Sequence, residues 1–151
     1  MNKKIFFLFL VFLMGNPCFV KGNNQPIVVI INKANDMDNV KLNEIAGIYR
    51  GQLEKWEDGQ RIVVINRPVD SEIRKDFYQR ILKEEPTKKF FKPGSPIPVK
   101  TMVAESDKAT VRFVATIPNA VGYVYSDEVN DTVRVVAIDD KLPSDPGYYL
   151  K

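Results

Sequence analysis

The sequence predicts an α/β domain built on a twisted, mixed sheet flanked by helices. Two observations lead to this prediction. A continuous run of β-branched residues at 27–31, and a similar run at 62–65, are typical of strands covered on both faces. Amphipathic repeats with helical spacing separate such runs along the chain, and strands that alternate with helices favour a partly parallel sheet with helices on its faces.

The first half of the chain supplies two strands and one short helix. A polar loop at 32–39 follows the first strand, and the next segment has apolar residues at three- and four-residue spacing: Leu42, Ile45, Ala46 and Tyr49. Gly51 is expected to end this helix. The Asp58-Gly59 pair predicts a turn before the strand at 62–65.

The second helix has the clearest pattern in the sequence. Ser71 stands at its predicted N-cap, and Pro86 stops it. Arg74 is predicted to face away from the apolar stripe. That stripe consists of Ile73, Phe77, Tyr78, Ile81 and Leu82.

The last third of the chain predicts one more helix and two strands. Ser106-Asp107 is expected to cap a helix that runs through Ala115. Apolar runs at 121–125 and 133–138 are predicted to be the last strands. Without an internal repeat or a linker, residues 23–151 are predicted to form one domain.

The N-terminus predicts export. A basic start at Lys3 and Lys4 precedes an apolar run at 5–14, and small residues near Gly22 suit cleavage after that residue, so residues 1–22 are interpreted as a signal peptide. The alternative of an uncleaved anchor is weaker, because the run falls short of the roughly 20 apolar residues that a membrane helix needs. Acylation at Cys18 is disfavoured by the preceding Asn16-Pro17. The predicted location is periplasmic or secreted, with no membrane insertion after cleavage.

Charge and composition exclude several classes of function. The chain has 22 basic and 19 acidic residues, and removal of Lys3, Lys4 and Lys21 with the signal leaves 19 of each, which argues against a nucleic-acid partner. The sequence has no histidine, and cleavage would remove its one cysteine. The commonest general base and the usual transition-metal ligands are therefore missing, and we expect no metal, no cofactor and no catalysis.

The junction between the second strand and the second helix is the predicted binding site. A helix that begins just past a strand presents free backbone N–H groups and the positive end of its dipole to an anion. Arg67 and Ser71 lie at this junction, with Arg74 one turn further, and Asn32 is a cleft-lining candidate at another strand end. The alternatives are that Ser71 only caps the helix, that Arg67 pairs with Asp70 or Glu72, and that Arg74 faces solvent.

Several segments together resemble the substrate-binding proteins of phosphate ABC transporters. The segment at 42–51 is similar to a leucine-rich helix that ends in glycine, Trp56-Glu57-Asp58-Gly59 to a Trp-x-Asp-Gly turn, and Ala120-Val121-Gly122-Tyr123 to an Ala-Ile-Gly-Tyr strand. Arg67-Pro68-Val69-Asp70-Ser71 is similar to the family's arginine followed by a phosphate loop. The matching pieces follow the family's order over most of residues 27–138.

This resemblance implies a single lobe of the type II periplasmic-binding-protein fold. It also implies that Arg67 and Ser71 bind phosphate or a related oxyanion, with a transporter as partner. Asp70, Glu72 and Ile73 stand where the family has glycine, glycine and threonine. Because these carboxylates compete with an anion at the helix terminus, the alternative is a non-catalytic envelope protein-interaction module that keeps the fold without the ligand.

Overall fold

A five-stranded mixed sheet forms the centre of the protein, which is seen here in a computed structural model that describes residues 25–151. The strands are β1 (Ile27–Asn32), β2 (Asn39–Val40), β3 (Val63–Asn66), β4 (Met102–Val103), β5 (Ala120–Tyr125), β6 (Val133–Val135) and β7 (Ala137–Ile138). The strand order in the sheet is β4-β3-β5-β1-β6, and the two further strands, β2 and β7, form a separate parallel pair.

Within residues 25–151, three α-helices pack on the sheet. They are α1 (Leu42–Tyr49), α2 (Glu72–Phe77) and α3 (Asp107–Thr116). A π-helical turn, Tyr78–Leu82, continues α2, and a 3-10 turn, Ser126–Glu128, follows β5. Ser106 caps α3, with its side chain accepting a hydrogen bond from the Ala109 N–H.

Strand directions give the sheet two chemically different ends. Strand β3 runs parallel to β4 and β5, whereas β1 runs antiparallel to β5, with Ile27 opposite Tyr125 and Ile31 opposite Val121. The C-terminal end of β3 therefore lies at the same end of the sheet as Tyr125. The C-terminal end of β1 lies at the opposite end. The order of the strands thus separates Arg67, which follows β3, from Asn32.

The sheet separates two hydrophobic cores. Alternate residues of β1 face opposite ways, so Val29 and Ile31 join one cluster with the residues of α1 and α2, while Val28 and Ile30 join the other with α3. All the residues of β1 are buried, as the continuous apolar run predicts.

Helix α3 lies unusually close to β5 because Gly122 has no side chain. A Cβ atom at position 122 would come within 2.8 Å of Thr110 Cγ2 and 3.1 Å of Val114 Cγ2. This close approach fixes α3 over the sheet, so the start of α3 is held at the end of the sheet where β3 and β5 finish.

The predicted fold class is confirmed, and the differences are local. The run at 133–138 forms two short strands rather than one, because 133–135 pairs with β1 whereas 137–138 pairs with β2. The two-residue strands β2 and β4 were not predicted. The apolar stripe of the second helix is buried as expected. The predicted signal peptide lies outside the described residues, and within 25–151 no helix combines the length and apolar character that crossing a membrane requires.

Candidate functional site

Arg67 is placed at the end of β3 by a buried side-chain network. The Asn66 Oδ1 atom accepts hydrogen bonds from the Arg67 backbone N–H at 2.9 Å and from the Tyr123 hydroxyl at 2.7 Å. The Asn66 side-chain amide donates to the Tyr78 hydroxyl at 2.9 Å. Asn66 is 2% exposed, and the network joins β3, β5 and the π-helical turn. Hydrogen bonds that link β3, β5 and the π-helical turn therefore fix the backbone of Arg67, from which its side chain projects.

The Arg67 guanidinium is buried and only partly satisfied. Arg67 is 7% exposed, and its Nη1 atom donates to Asp107 Oδ1 in an ion pair. Its Nε atom is buried without a hydrogen-bond partner among the residues that the structure describes. The alternative prediction that Arg67 pairs with Asp70 or Glu72 is wrong, because its partner is Asp107 in the first turn of α3.

Ser71 takes the N-cap position of α2 but does not use its side chain as a cap. Its hydroxyl donates to the Pro68 carbonyl at 2.7 Å, and the helix starts through a backbone bond from the Lys75 N–H to the Ser71 carbonyl at 3.1 Å. The hydroxyl thus braces the loop between β3 and α2. Its oxygen retains capacity to accept a hydrogen bond.

The interpretation of Arg74 as a residue facing away from the core is wrong. Arg74 is 8% exposed, its Nη1 donates to the Arg67 carbonyl at 2.8 Å, and its Nε donates to the Pro86 carbonyl at 2.9 Å. Its guanidinium lies over the Tyr78 ring at 4.5 Å. These three contacts remove the guanidinium from water, so Arg74 ties the loop at Arg67 to the helix rather than presenting a free cation.

Asn32 lies at the other end of the sheet and does not join Arg67. Its side-chain amide is within hydrogen-bond distance of the carbonyls of Val114, Ala115 and Ile117, at 2.8, 3.0 and 3.2 Å. Its Oδ1 accepts from the Ala34 N–H at 2.9 Å. The last turn of a helix leaves carbonyls without partners, and Asn32 satisfies those of α3. The cleft-lining candidate thus serves as a C-terminal cap.

The surroundings of Arg67 and Asp107 carry several further carboxylates. Burial raises the pKa of the Asp107 carboxyl above its ordinary value, against the lowering effect of Arg67, and Glu128 and Asp127 add to the rise. Burial also raises the pKa of Tyr125, with smaller contributions from acidic groups on α2 and α3: Asp76, Asp107 and Glu72. The buried Arg67 guanidinium therefore lies near acidic groups from three segments: α2, α3 and the 3-10 turn.

A groove away from Arg67 is also present in the structure. It has a volume of about 390 Å³ and lies between α1, β3 and the loop at 92–100, with Ile48, Val64 and Ile97 among its lining residues and the Glu54–Lys92 ion pair across it. It contains none of the four predicted binding residues.

The mixed sheet with helices on both faces matches the fold that the sequence resemblance implies, one lobe of a periplasmic-binding-protein fold. A family model described as "PBP superfamily domain" matches residues 24–150, and the chain belongs to this family. The resemblance seen in the sequence is therefore confirmed at the level of the family. No curated protein matches the chain.

Solved structures with the same fold are substrate-binding proteins about twice as long. An ABC-type phosphate transport receptor from Vibrio cholerae has 21% identity and a TM-score of 0.65, with 80% of this chain and 48% of that chain covered. A putative phosphate ABC transporter substrate-binding protein with bound phosphate from Clostridium perfringens has 24% identity and a TM-score of 0.64, with 76% and 45% covered. PstS from Borrelia burgdorferi has 15% identity and a TM-score of 0.65, with 80% and 49% covered. The chain therefore spans about half the length of these proteins.

Three residues that matter at this site escaped the sequence reasoning. Asp107 was assigned only to the start of a helix, although its carboxylate is the partner of Arg67. Asn66 and Tyr78 were treated as parts of a strand and an apolar stripe, although their polar atoms hold the Arg67 backbone. One available signal was the polar Asn66 at the end of an otherwise apolar strand, which needs hydrogen-bond partners when buried.

Proposed function

We propose that this chain is an exported substrate-binding-protein-like domain that binds phosphate or a related oxyanion at the C-terminal end of β3, in connection with phosphate uptake. The binding is reversible and involves no covalent chemistry. The proposal includes export through the segment at 1–22 and a periplasmic or secreted location, with an ABC transporter or another envelope protein as partner.

The observation that supports this proposal most directly is the buried Arg67 guanidinium with its unpartnered Nε atom. A buried donor without an acceptor is costly, and a ligand with several acceptor oxygens would relieve that cost. Asp107, which pairs with Nη1, indicates that a negative group can occupy this position, at the start of α3. The Ser71 hydroxyl, in the loop after Arg67, would serve as a further contact.

Fold likeness supports the ligand class. The solved structures that resemble this chain include proteins described as a phosphate transport receptor and as a binding protein with bound phosphate. Each is less than 25% identical to this chain, so the ligand is carried over as a proposal that rests on Arg67.

A second candidate function is a non-catalytic envelope interaction module that keeps the fold without the anion. The acidic groups around Arg67 favour it, because Glu72, Asp76 and Glu128 would repel an approaching anion. Under this alternative, the Arg67–Asp107 pair is a permanent structural contact.

Calorimetric titration of phosphate into the purified protein at low salt separates the two functions. Saturable binding that is lost in Arg67→Ala and retained in Lys75→Ala supports the first function, since Lys75 is an exposed cation on α2, the helix that follows Arg67. A folded wild-type protein that gives no saturable heat would overturn the first function and favour the second. Sulfate as a competitor reports how strictly the site selects its anion.

A further inference from the structure

We infer that Asp107 is the affinity-determining residue of this site: its carboxylate occupies the oxyanion position on Arg67 in the ligand-free chain, and a ligand binds by displacing it. The inference rests on the proposed function and concerns how that same site is regulated. It assigns to Asp107 a competing role that neither the sequence pattern nor the family match indicates.

The first support is the geometry of the ion pair. Asp107 is the first residue of α3, and its Oδ1 meets Nη1 of Arg67, which leads the loop after β3. The two side chains are 17% and 9% exposed, so the carboxylate covers the guanidinium from the direction of α3. An oxyanion that accepts from the free Nε would lie on the same guanidinium, and two negative groups on one guanidinium repel each other.

The second support is that Asp107 is not needed to start α3. Ser106 is the N-cap and accepts from the Ala109 N–H at 3.1 Å, and the Thr110 hydroxyl donates to the Ser106 carbonyl at 3.0 Å. The hydrogen bond to Arg67 is the contact that the structure shows for the Asp107 side chain. Rotation of this carboxylate away from Arg67 therefore leaves the cap of α3 in place.

The third support is the electrostatic environment of Asp107. The groups that face it are Arg67 from the end of β3, Tyr125 from the end of β5, and Asp127 and Glu128 from the 3-10 turn. Burial and the two neighbouring carboxylates raise its pKa more than Arg67 lowers it. Burial thus works against the charged carboxylate, and leaving Arg67 would return it to water.

The sign of the resulting pH dependence follows from that raised pKa. An acid whose pKa is higher in the folded state contributes stability below its ordinary pKa and loses that contribution as the pH rises through the raised value. At low pH Asp107 becomes neutral and no longer competes for Arg67. Anion affinity is therefore expected to increase as the pH falls through the raised pKa of Asp107.

Sulfate is the probe for the test because it remains a dianion over the pH range in which carboxylates titrate. Its dissociation constant is measured with the whole protein from about pH 8 to about pH 4, in wild type, Asp107→Asn and Glu128→Gln. Asp107→Asn keeps the shape of the side chain and removes its charge. Glu128→Gln removes a neighbouring charge that makes no ion pair with Arg67, which makes it the matched control.

Asp107→Asn is expected to tighten sulfate binding by about tenfold near neutral pH, and Glu128→Gln by about twofold or less. The wild-type affinity should increase toward low pH, and Asp107→Asn should lose most of that increase. Equal effects of the two variants would overturn the inference, because they would show a general field effect rather than competition for Arg67.

Two further outcomes separate this inference from the proposed function. Sulfate binding that depends on Arg67 but is unchanged or weakened in Asp107→Asn overturns the competition and leaves the binding function in place. An absence of sulfate and phosphate binding in wild type and Asp107→Asn at every pH overturns both. If Asp107→Asn does not fold, the wild-type pH series decides alone, and an affinity that is flat or falls toward low pH overturns the inference.

Discussion

The two ends of the sheet differ in how completely their polar side chains are satisfied. At one end, Asn32 donates to carbonyls of α3 and accepts from the Ala34 N–H, so its amide has no free donor to offer an anion. At the other end, Arg67 is equally buried, but its Nε lacks a partner and its Nη1 is bound to a carboxylate. A polar residue at a strand end is therefore a structural cap in one case and a binding candidate in the other.

What separates the two cases is hydrogen-bond capacity rather than position. Both side chains follow apolar strands, and both are about equally buried. The difference comes from their neighbours, since α3 directs its carbonyl end toward Asn32 and its N-terminal end toward Arg67. One helix thus supplies acceptors at one end of the sheet and a competing carboxylate at the other.

We expect the largest loss of stability from a variant of Asn32, which lies at the end of the sheet that we interpret as structural. Asn32→Ala removes the donor to the carbonyls of α3 and leaves them buried without partners, which is expected to lower the free energy of unfolding by about 3 kcal/mol. Chemical unfolding measures this loss. Asn35→Ala is the control, since the Asn35 side chain only accepts from the nearby Met37 N–H and is more exposed. A loss below that of the control would contradict the structural role of Asn32.

Arg74 tests whether the loop at Arg67 is held from α2. Arg74→Met keeps an apolar stem but removes the hydrogen bonds to the carbonyls of Arg67 and Pro86, and is expected to lower the free energy of unfolding by about 2 kcal/mol. Lys75→Met, an exposed neighbour, should change it by less than about 0.5 kcal/mol. Equal losses of unfolding free energy in urea for the two variants would show that the hydrogen bonds of Arg74 add no stability.

Two tyrosine variants compare a buried hydroxyl that has a hydrogen-bond partner with one that has none. Tyr78→Phe removes the acceptor of the Asn66 amide and is expected to cost about 1 kcal/mol, while the ring under Arg74 stays. Tyr148→Phe removes a buried hydroxyl that has no hydrogen-bond partner among residues 25–151, so it should leave stability unchanged or raise it slightly. Thermal unfolding of the two variants gives the order. The reverse order would contradict the network around Asn66.

Ser71 is expected to give the smallest effect on stability. Its hydroxyl bonds the Pro68 carbonyl rather than a helix N–H, so Ser71→Ala should cost only about 0.5 kcal/mol. Ser106→Ala, which removes a side-chain cap from α3, is the comparison and should cost about 1 kcal/mol. A larger loss at Ser71 than at Ser106 in thermal unfolding would show that the hydroxyl does cap α2 in solution.

The sequence predicts secondary-structure elements well where the apolar periodicity is strong. It does not predict features that depend on contacts between residues far apart in the sequence. The buried run of β1, the stripe of α2 and the cap at Ser106 follow from local spacing, and the structure confirms them. The two-residue strand β4 exists because β3 offers it an edge, which no pattern at 102–103 indicates. The burial of Arg74 likewise depends on the ring of Tyr78 and on the Pro86 carbonyl.

At the site, the sequence identified Arg67 but not its partner. Asp107 lies 40 residues further along the chain, and its approach depends on Gly122 letting α3 lie close to β5. Asn32 was grouped with Arg67 because both end strands, and the sequence does not show that β1 runs antiparallel to β5. Strand direction is a tertiary property, and it decides which residues meet.

Nitrogen-15 NMR of the side-chain N–H groups tests the central comparison most directly, with phosphate added to the labelled protein. The Arg67 Nε–H signal and the backbone amides that follow Arg67 are expected to shift with saturation, while the Asn32 side-chain signals stay where they are. Saturable shifts at Asn32 with none at Arg67, or no saturable shift at either end of the sheet, would contradict the assignment of oxyanion binding to the Arg67 end.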